Sequence, residues 1–310
     1  MGKRRKKGRP VSGWLIIDKA YDVGSTEAVS KAKWLFQAQK AGHAGTLDPL
    51  ATGVLPIAFG EATKTSSFVM DAQKHYRFTA RWGEARATDD AEGAVIATSD
   101  KRPARAEIEA VLEKFTGEIE QVPPQFSAIK VGGERAYDIA RDGEEVKLEP
   151  RTVMIYELRV VDAPSPDETV FEAVTGKGAY VRALVRDMAH ALGTEGYVCE
   201  LRRLAVGPLR AEDGITLAEL EAMGTMEERD GVLLPVIGAL SGMPQAAIDG
   251  PQADKLRRGQ PAVISPAAAK GVRGDIAGLV EGVLAVMHDE AVAICDLDGL
   301  KLKPTRVFNA

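Results

Sequence analysis

Apolar and polar positions vary along the chain with two different periods, which predicts a mixture of strands and helices. The short apolar runs of strand type are Gly13–Asp18, His75–Trp82, Thr152–Val161 and Thr169–Thr175. Helical spacing follows Ser25, whose side chain we expect to cap that helix, and it recurs around Ile108–Phe115. The strongest helical pattern follows Gly178, because apolar residues recur every three or four positions as far as Leu192, and Gly193 suits the position after the helix end.

The segment Gly42–Gly53 fits neither period and predicts a shaped loop. Its sequence, GHAGTLDPLATG, places three glycines and one proline around a single carboxylate, that of Asp48. Loops of this kind often position a functional group. Aspartate before proline is equally typical of an ordinary turn, so the residues alone leave a turn and a catalytic group both open.

Changes in composition divide the chain into segments. Residues 1–10 carry six lysines and arginines, which predicts a flexible basic arm. Residues 11–238 hold most of the expected elements and form the main domain, from which the polar stretch 125–151 departs as an excursion. From Ala239 onward the composition shifts to small residues, glycine and proline, and then to short strands, which predicts a small β-rich domain over residues 239–310.

The charge is distributed unevenly. The net charge is −5, but residues 1–86 hold 15 lysines and arginines against 7 acidic residues. Such a basic end could meet a phosphate backbone, although the same asymmetry also arises for solubility alone.

Composition also excludes several classes of protein. The two cysteines, Cys199 and Cys295, are far apart, and the four histidines have no metal-binding spacing, so we expect no disulfide framework and no metal. No run approaches the roughly 18 apolar residues that span a bilayer, and no apolar segment follows the basic N-terminus. We therefore expect a cytoplasmic protein without a membrane partner.

Longer sequence patterns shift the odds for the loop. The stretch GHAGTLDPLATGVLPIAFGEATK closely resembles the signature of the TruB family of transfer-RNA pseudouridine synthases. Further matches in family order are Lys74–Tyr76, Ala87–Gly93, Pro123–Tyr137, Gly178–Asp187 and Leu201–Leu209. The matched region covers about residues 13–240.

The resemblance implies a fold and a reaction. The fold would be α+β, with a mixed, largely antiparallel sheet, a thumb at about residues 125–151 and a PUA-like C-terminal domain. The reaction would isomerise uridine 55 in the T arm of transfer RNA to pseudouridine after base flipping. The resemblance also implies a monomer that works without cofactor, metal or guide RNA.

The resemblance also implies functional residues. The catalytic and pocket residues would be Asp48 as nucleophile, Tyr76 stacking on the uracil, Arg182 pairing bidentately with Asp48, and Leu201 lining the pocket. His43 would contact the RNA where the base was removed, and the candidates for phosphate contacts are Lys19, Lys64, Lys130, Arg202 and Arg203. Without the resemblance, a lone tyrosine or leucine is more often a core residue and a lone arginine a surface residue.

The expected place of Arg182 supports its pairing. It would lie in the first turn of its helix, where the macrodipole disfavours a cation, so the position favours a compensating carboxylate. The chain departs from the family at Ala20 and Asp22, where proline and glycine are usual, and we expect the loop there to differ in conformation or in its grip on substrate.

Two alternatives stay open at this point. One is the guide-RNA-dependent relative, whose catalytic loop is similar; the compact thumb favours the stand-alone enzyme. The other is an RNA-folding factor in which modification is incidental.

Overall fold

A computed structural model describes residues 8–127, 129–131, 134, 135, 139, 148–274 and 278–308. The helices are α1 (Ser25–Leu35), α2 (Ser66–Asp71), α3 (Arg105–Val111), α4 (Val181–Ala191), α5 (Leu217–Ala222), α6 (Met226–Gly231), α7 (Gly250–Arg257) and α8 (Pro266–Arg273). Short 3₁₀ turns occupy Gly60–Thr65, Leu112–Phe115, Ala211–Asp213 and Val236–Leu240.

The strands are β1 (Gly13–Lys19), β2 (Ala41–His43), β3 (Thr52–Phe59), β4 (Lys74–Trp82), β5 (Glu84–Arg86), β6 (Val95–Thr98), β7 (Gly117–Gln121), β8 (Lys130–Val131), β9 (Glu134–Arg135), β10 (Arg151–Ser165), β11 (Glu168–Thr175), β12 (Gly196–Val206), β13 (Leu209–Arg210), β14 (Gln245–Ala247), β15 (Ala262–Val263), β16 (Val280–Met287), β17 (Glu290–Asp298) and β18 (Lys301–Val307). The strands predicted from apolar runs are confirmed, each with small shifts at its ends.

The main sheet has nine strands. Seven follow the order β1-β3-β12-β4-β11-β10-β7, with β2 beside β3 and β13 beside β12. Among the described pairs of this sheet, β12 and β3 run parallel, and the other neighbours run antiparallel. The predicted α+β fold with a mixed, largely antiparallel sheet is therefore confirmed.

Helix α4 covers one face of this sheet. Its apolar side, which includes Leu184, Val185 and Met188, packs against Phe78 of β4 and Phe171 of β11. Because strand residues alternate between faces, the polar residues next to Phe78 point away from the helix. The predicted helix after Gly178 is confirmed, and its apolar stripe is buried as its spacing indicated.

The C-terminal strands form a separate five-stranded sheet in the order β14-β16-β17-β18-β15. It encloses its own apolar core together with α7 and α8. A second apolar cluster, which includes Leu240, Leu284 and Phe308, also contacts Phe68 of α2 and so joins this sheet to the main body. The β-rich C-terminal part is confirmed, while its boundary at residue 239 and its PUA-like character stay predictions.

Two predictions about the N-terminal region need correction. Ser25 is the first residue of α1, and the residue before the helix is Gly24, whose N–H is bound by the Glu27 carboxylate at 3.4 Å. The predicted arm 1–10 is attached at its end, because the Arg9 guanidinium pairs with Asp230 and its backbone bonds to Gln37 and Gln39. Residues 1–7 and most of the predicted thumb lie outside the described residues.

In the part of the chain that the structure describes, none of the helices has both the length and the apolar character required to cross a bilayer.

Candidate active site

The loop that carries Asp48 is held by side chains from outside it. The hydroxyl of Ser25 donates to the Leu47 carbonyl at 2.7 Å and accepts from the Leu47 N–H at 2.8 Å. Ser25 is buried at the start of α1, so it cannot exchange these bonds for water without the helix moving. The residue before Asp48 is thus fixed by both of its backbone groups.

Lys19 holds the loop on the other side of Asp48. Its ammonium group is completely buried and donates to the carbonyls of Pro49, Ala20 and Val23 at 2.8–2.9 Å. Burial lowers the pKa of Lys19 to about 8, and the nearby Asp48 carboxylate partly opposes this shift. Lys19 therefore supports the loop, and its predicted role as a phosphate contact does not fit this structure, in which its side chain has no exposed surface.

Asp22, one of the two departures from the family, has a left-handed backbone. Asp22 has φ +59°, a left-handed conformation that glycine adopts most easily and that aspartate tolerates better than most residues. Its N–H donates to the Pro49 carbonyl at 3.0 Å, so the loop contacts the Asp48 segment. The expected difference from the family in conformation or in grip on substrate stays a prediction.

Arg203 holds the start of the Asp48 loop. Its guanidinium donates to the carbonyls of Val54 at 2.7 Å, Thr46 at 3.0 Å and Gly45 at 3.4 Å. Only 2 % of Arg203 is exposed. Its predicted phosphate contact does not fit this structure, in which Arg203 is a buried clamp between β12 and the loop.

The close approach of β3 and β12 makes this clamp possible. Gly53 pairs with Arg203 across the parallel strands and has φ +98°. A Cβ at Gly53 would collide with the carbonyl oxygen of Arg203, so only glycine fits there.

Arg182 lies at the second position of α4 and meets Asp48, as predicted. Its Nε atom is 2.9 Å from Oδ2 of Asp48, and its side chain is 5 % exposed, whereas that of Asp48 is 40 % exposed. The terminal nitrogens donate to the carbonyls of Thr88 and Phe126, each at 2.9 Å. The pairing is confirmed and runs through Nε, while a second, bidentate contact stays a prediction.

Strand register decides which neighbouring side chains face Asp48. Leu201 pairs with Phe78, and Arg203 pairs with Tyr76, across β12 and β4. Residues directly opposite each other in an antiparallel pair lie on the same face, so Tyr76, Leu201 and Arg203 share the face that α4 covers. Arg202 lies between them in sequence and therefore points to the other face.

A cavity of about 380 Å³ opens beside Asp48. Tyr76, Leu201, Arg182 and His43 line it, so the structure brings these four predicted residues together with the carboxylate. One aromatic ring, one aliphatic side chain and one ion pair are suited to hold a flat, polar base against a nucleophile.

A second cavity of about 400 Å³ lies against the same ion pair. Its walls include Gly24, Thr88, Asp90, Phe126 and Tyr180. Burial raises the pKa of the Tyr180 phenol above its ordinary value, so this group stays protonated at neutral pH. Asp48 and Arg182 thus separate two cavities.

The remaining predicted phosphate contacts lie away from this centre. Arg202 makes two hydrogen bonds of 2.8–2.9 Å to Asp18 and is partly exposed. Lys64, also partly exposed, pairs with Glu61 and donates to the Val307 carbonyl at 2.8 Å. Lys130 lies in β8, and its side chain is outside the description. The phosphate roles of these three residues stay predictions.

Several site residues were missed by sequence reasoning. Asp90 lies 3.7 Å from Arg182, and the Thr88 carbonyl accepts a hydrogen bond from Arg182. The matched segment Ala87–Gly93 was a signal that could have found both. Ser25 could be recognised only as a helix start, because its bonds to Leu47 join residues far apart in sequence.

No group of three or more histidine, cysteine, aspartate or glutamate side chains suited to a metal ion occurs in the described ranges.

Comparison with known proteins gives the family. Residues 33–181 match the model of the TruB family pseudouridylate synthase N-terminal domain, and residues 182–241 match that of the tRNA pseudouridylate synthase B C-terminal domain. The chain is 50 % identical to a protein of Caulobacter vibrioides named tRNA pseudouridine synthase B, over 98 % of both chains. A protein of the same name from Mesorhizobium japonicum is 49 % identical over 99 % of both chains.

Solved structures share the fold. A Cbf5-Nop10-Gar1 complex contains a chain that superposes with a TM-score of 0.72 at 24 % identity, covering 96 % of this chain and 85 % of the other. A chain from an H/ACA RNP bound to a substrate RNA gives 0.70 at 22 % identity, covering 100 % and 92 %. At such low identity these likenesses concern the fold alone. The family models and the near full-length relatives lead to one conclusion: the chain belongs to the TruB family of pseudouridylate synthases.

Proposed function

We propose that this protein isomerises uridine 55 in the T arm of transfer RNA to pseudouridine, with Asp48 as the attacking group. The observation that carries the proposal is the Asp48 carboxylate, held 2.9 Å from Arg182 at a cavity walled by Tyr76 and Leu201. The relatives named tRNA pseudouridine synthase B, similar over nearly their whole length, support transfer RNA as the substrate.

The reaction requires the N1–C1′ bond to break, the base to turn and a C5–C1′ bond to form. A carboxylate suits this sequence because it can attack and later depart, so that water need not enter. Attack at C1′ and attack at C6 both meet this requirement. Arg182 holds the carboxylate in place through the step, and its own position is fixed by the carbonyls of Thr88 and Phe126.

Tyr76 and Leu201 hold the base during its turn. The Tyr76 ring stacks on the uracil, and Leu201 closes the other side of the cavity with an apolar surface. At the end of the reaction the C5 proton must leave. A water molecule takes it, either directly or through the Tyr76 hydroxyl, which accepts this proton while passing its own to the water.

The uridine must leave its stack to reach this cavity, because Asp48 lies in a loop packed between α1, α4 and β12. His43 belongs to β2 and lines the same cavity, where it can contact the RNA from which the base was removed. In this proposal the main domain, residues 11–238, carries the reaction, and the C-terminal sheet, residues 239–310, adds RNA contacts.

The test uses purified protein and an unmodified transfer-RNA transcript, with no guide RNA, metal or cofactor added. Pseudouridine is mapped by carbodiimide labelling and primer extension. We expect one strong stop, one nucleotide on the 3′ side of position 55, and no such stop in a matched transcript with cytidine at position 55. Modification at another uridine would overturn the site, and modification only after adding a guide RNA would favour the guide-dependent relative.

A further inference from the structure

Gln121 is a buried polar residue whose amide oxygen and amide nitrogen both bind the backbone of one residue, Tyr180. It is the last residue of β7 and is 2 % exposed. Its side-chain oxygen accepts from the Tyr180 N–H at 2.8 Å, and its side-chain nitrogen donates to the Tyr180 carbonyl at 3.1 Å. A glutamine amide has one acceptor and one donor, so it can bind the N–H and the carbonyl of a single residue at the same time. A neighbouring β-strand satisfies a backbone residue in a similar way.

Tyr180 is the residue from which helix α4 begins. Its φ of −110° and ψ of 116° are extended, and no side chain of its own caps the helix. The same Tyr180 carbonyl also accepts from the Leu184 N–H at 3.0 Å. Gln121 therefore fixes the point at which the first turn of α4 leaves the extended chain.

Arg182 follows two residues later. A shift of the Tyr180 backbone would therefore also move the Arg182 guanidinium. The segment after Gln121 contacts the same helix twice more. The Val122 carbonyl accepts from Arg186 at 2.7 Å, and the Phe126 carbonyl accepts from Arg182 at 2.9 Å. Residues 121–126 thus hold α4 at its start and along its first turns, on the side where Arg182 meets Asp48.

We propose that Gln121 is a positioning residue for catalysis, which aligns Arg182 on Asp48 by clamping the backbone of Tyr180. The inference rests on the proposed function, because it concerns the rate of that reaction. Gln121 touches neither the base nor Asp48 in this role. Its removal should slow the chemical step and leave RNA binding intact, since misalignment of a held catalytic group lowers the rate without removing contacts to the substrate.

The test compares wild type with Gln121→Met, which has similar length but neither hydrogen bond, and with Gln121→Asn, which keeps the amide but is one methylene too short to make both. Each protein is examined in three ways: single-turnover tritium release from C5-labelled transfer RNA, the Kd for that RNA, and hydrogen exchange of the peptide containing Tyr180. For Gln121→Met we expect faster exchange at Tyr180, a rate at least 10-fold lower and a Kd within 2-fold of wild type. For Gln121→Asn we expect a rate and an exchange at Tyr180 between those of wild type and Gln121→Met. This variant replaces Gln121→Met in the test if Gln121→Met does not fold.

The matched control is Met188→Ala, which removes a buried side chain about two turns further along the same helix. It should lower thermal stability while leaving the single-turnover rate within 3-fold at a temperature where the protein is folded. Faster exchange at Tyr180 with an unchanged rate would overturn the inference, as would equal losses of rate in Gln121→Met and Met188→Ala. Absence of tritium release from wild type would instead count against the proposed function, and the two failures are therefore distinct.

Discussion

The ammonium nitrogen of Lys19 lies 2.9 Å from the carbonyl oxygen of Pro49, the residue directly after Asp48. Lys19 also binds the carbonyls of Ala20 and Val23, and it is completely buried. A buried ammonium group with three carbonyl partners stabilises a loop at the cost of its own solvation. The loop that carries Asp48 is therefore supported by an ionisable residue without exposed surface.

This burial predicts an unusual dependence of stability on pH. The pKa of Lys19 is about 8 in the folded protein and 10.5 when unperturbed. Between these values the unfolded chain holds a proton that the folded protein has released, so the free energy of unfolding rises as the pH rises. Between these two pKa values, Lys19 alone adds about 3 kcal/mol to the free energy of unfolding.

The measurement is urea unfolding from pH 7.5 to 10.5, in wild type and in Lys19→Met. Lys74, whose pKa burial also lowers to about 8, contributes a similar rise, so Lys19→Met should lose about half of the wild-type slope, whatever its stability at neutral pH. Lys255→Met, which removes an exposed lysine of α7, is the control and should keep the wild-type slope. The same slope in Lys19→Met would mean that Lys19 keeps its proton throughout.

Ser25→Ala should loosen the residue before Asp48. Both bonds between the hydroxyl and the Leu47 backbone would be lost in a buried place, which lowers the free energy of unfolding by about 1–3 kcal/mol. The rate of modification should fall as well, because the Asp48 carboxylate is less well held. Ser30→Ala, on the exposed side of α1, should change the free energy of unfolding by less than about 0.5 kcal/mol. A stable and fully active Ser25→Ala protein would show that the loop needs no such support.

Arg203→Lys distinguishes a clamp from a phosphate contact. A lysine keeps the charge but cannot reach three carbonyls with a fork of donors, so the rate should fall by at least 10-fold. The slope of log Kd for transfer RNA against log salt should be the same as in wild type. In Arg203→Met, where the charge is lost, a slope reduced by about 1 would place Arg203 on a phosphate and contradict the clamp.

Sequence reasoning identified what was local in the chain and missed what depends on packing. The helix after Gly178 could be predicted from its apolar spacing. The pairing of Arg182 with Asp48 came from the family resemblance, which a cation in the first turn of that helix only supported. The directions in which the side chains of adjacent arginines point could not be predicted from the sequence. Arg202 and Arg203 were both assigned to phosphates, yet neighbours on a strand face opposite sides, and only the register with β4 shows which one is buried.

The role of Gln121 could not be predicted from the sequence either. A glutamine at a strand end carries no signal of its role, since its partner Tyr180 is 59 residues away. Lys19 was misjudged for a similar reason, because a lysine after an apolar run is usually exposed and only the folded loop surrounds it with carbonyls.

Arg182→Ala should separate catalysis from binding. The guanidinium is almost completely buried and makes its contacts within the protein, so its loss should leave transfer-RNA affinity within about 3-fold. The single-turnover rate should fall by about 10²- to 10³-fold, the size expected when one charged group is removed from a preorganised site. Filter binding and rapid-quench measurements on the same preparation provide the comparison. Equal losses in affinity and rate would count against the role of Arg182 in holding Asp48.

The most direct measurement is tritium release from C5-labelled uridine in a transfer-RNA transcript, with wild type and Asp48→Asn at matched concentration. The asparagine variant keeps the size and polarity of the side chain but has no anionic nucleophile. We predict release by wild type alone, with both proteins binding the RNA. Release by both proteins would contradict the role of Asp48, and release by neither, despite binding, would favour an RNA-folding function over isomerisation.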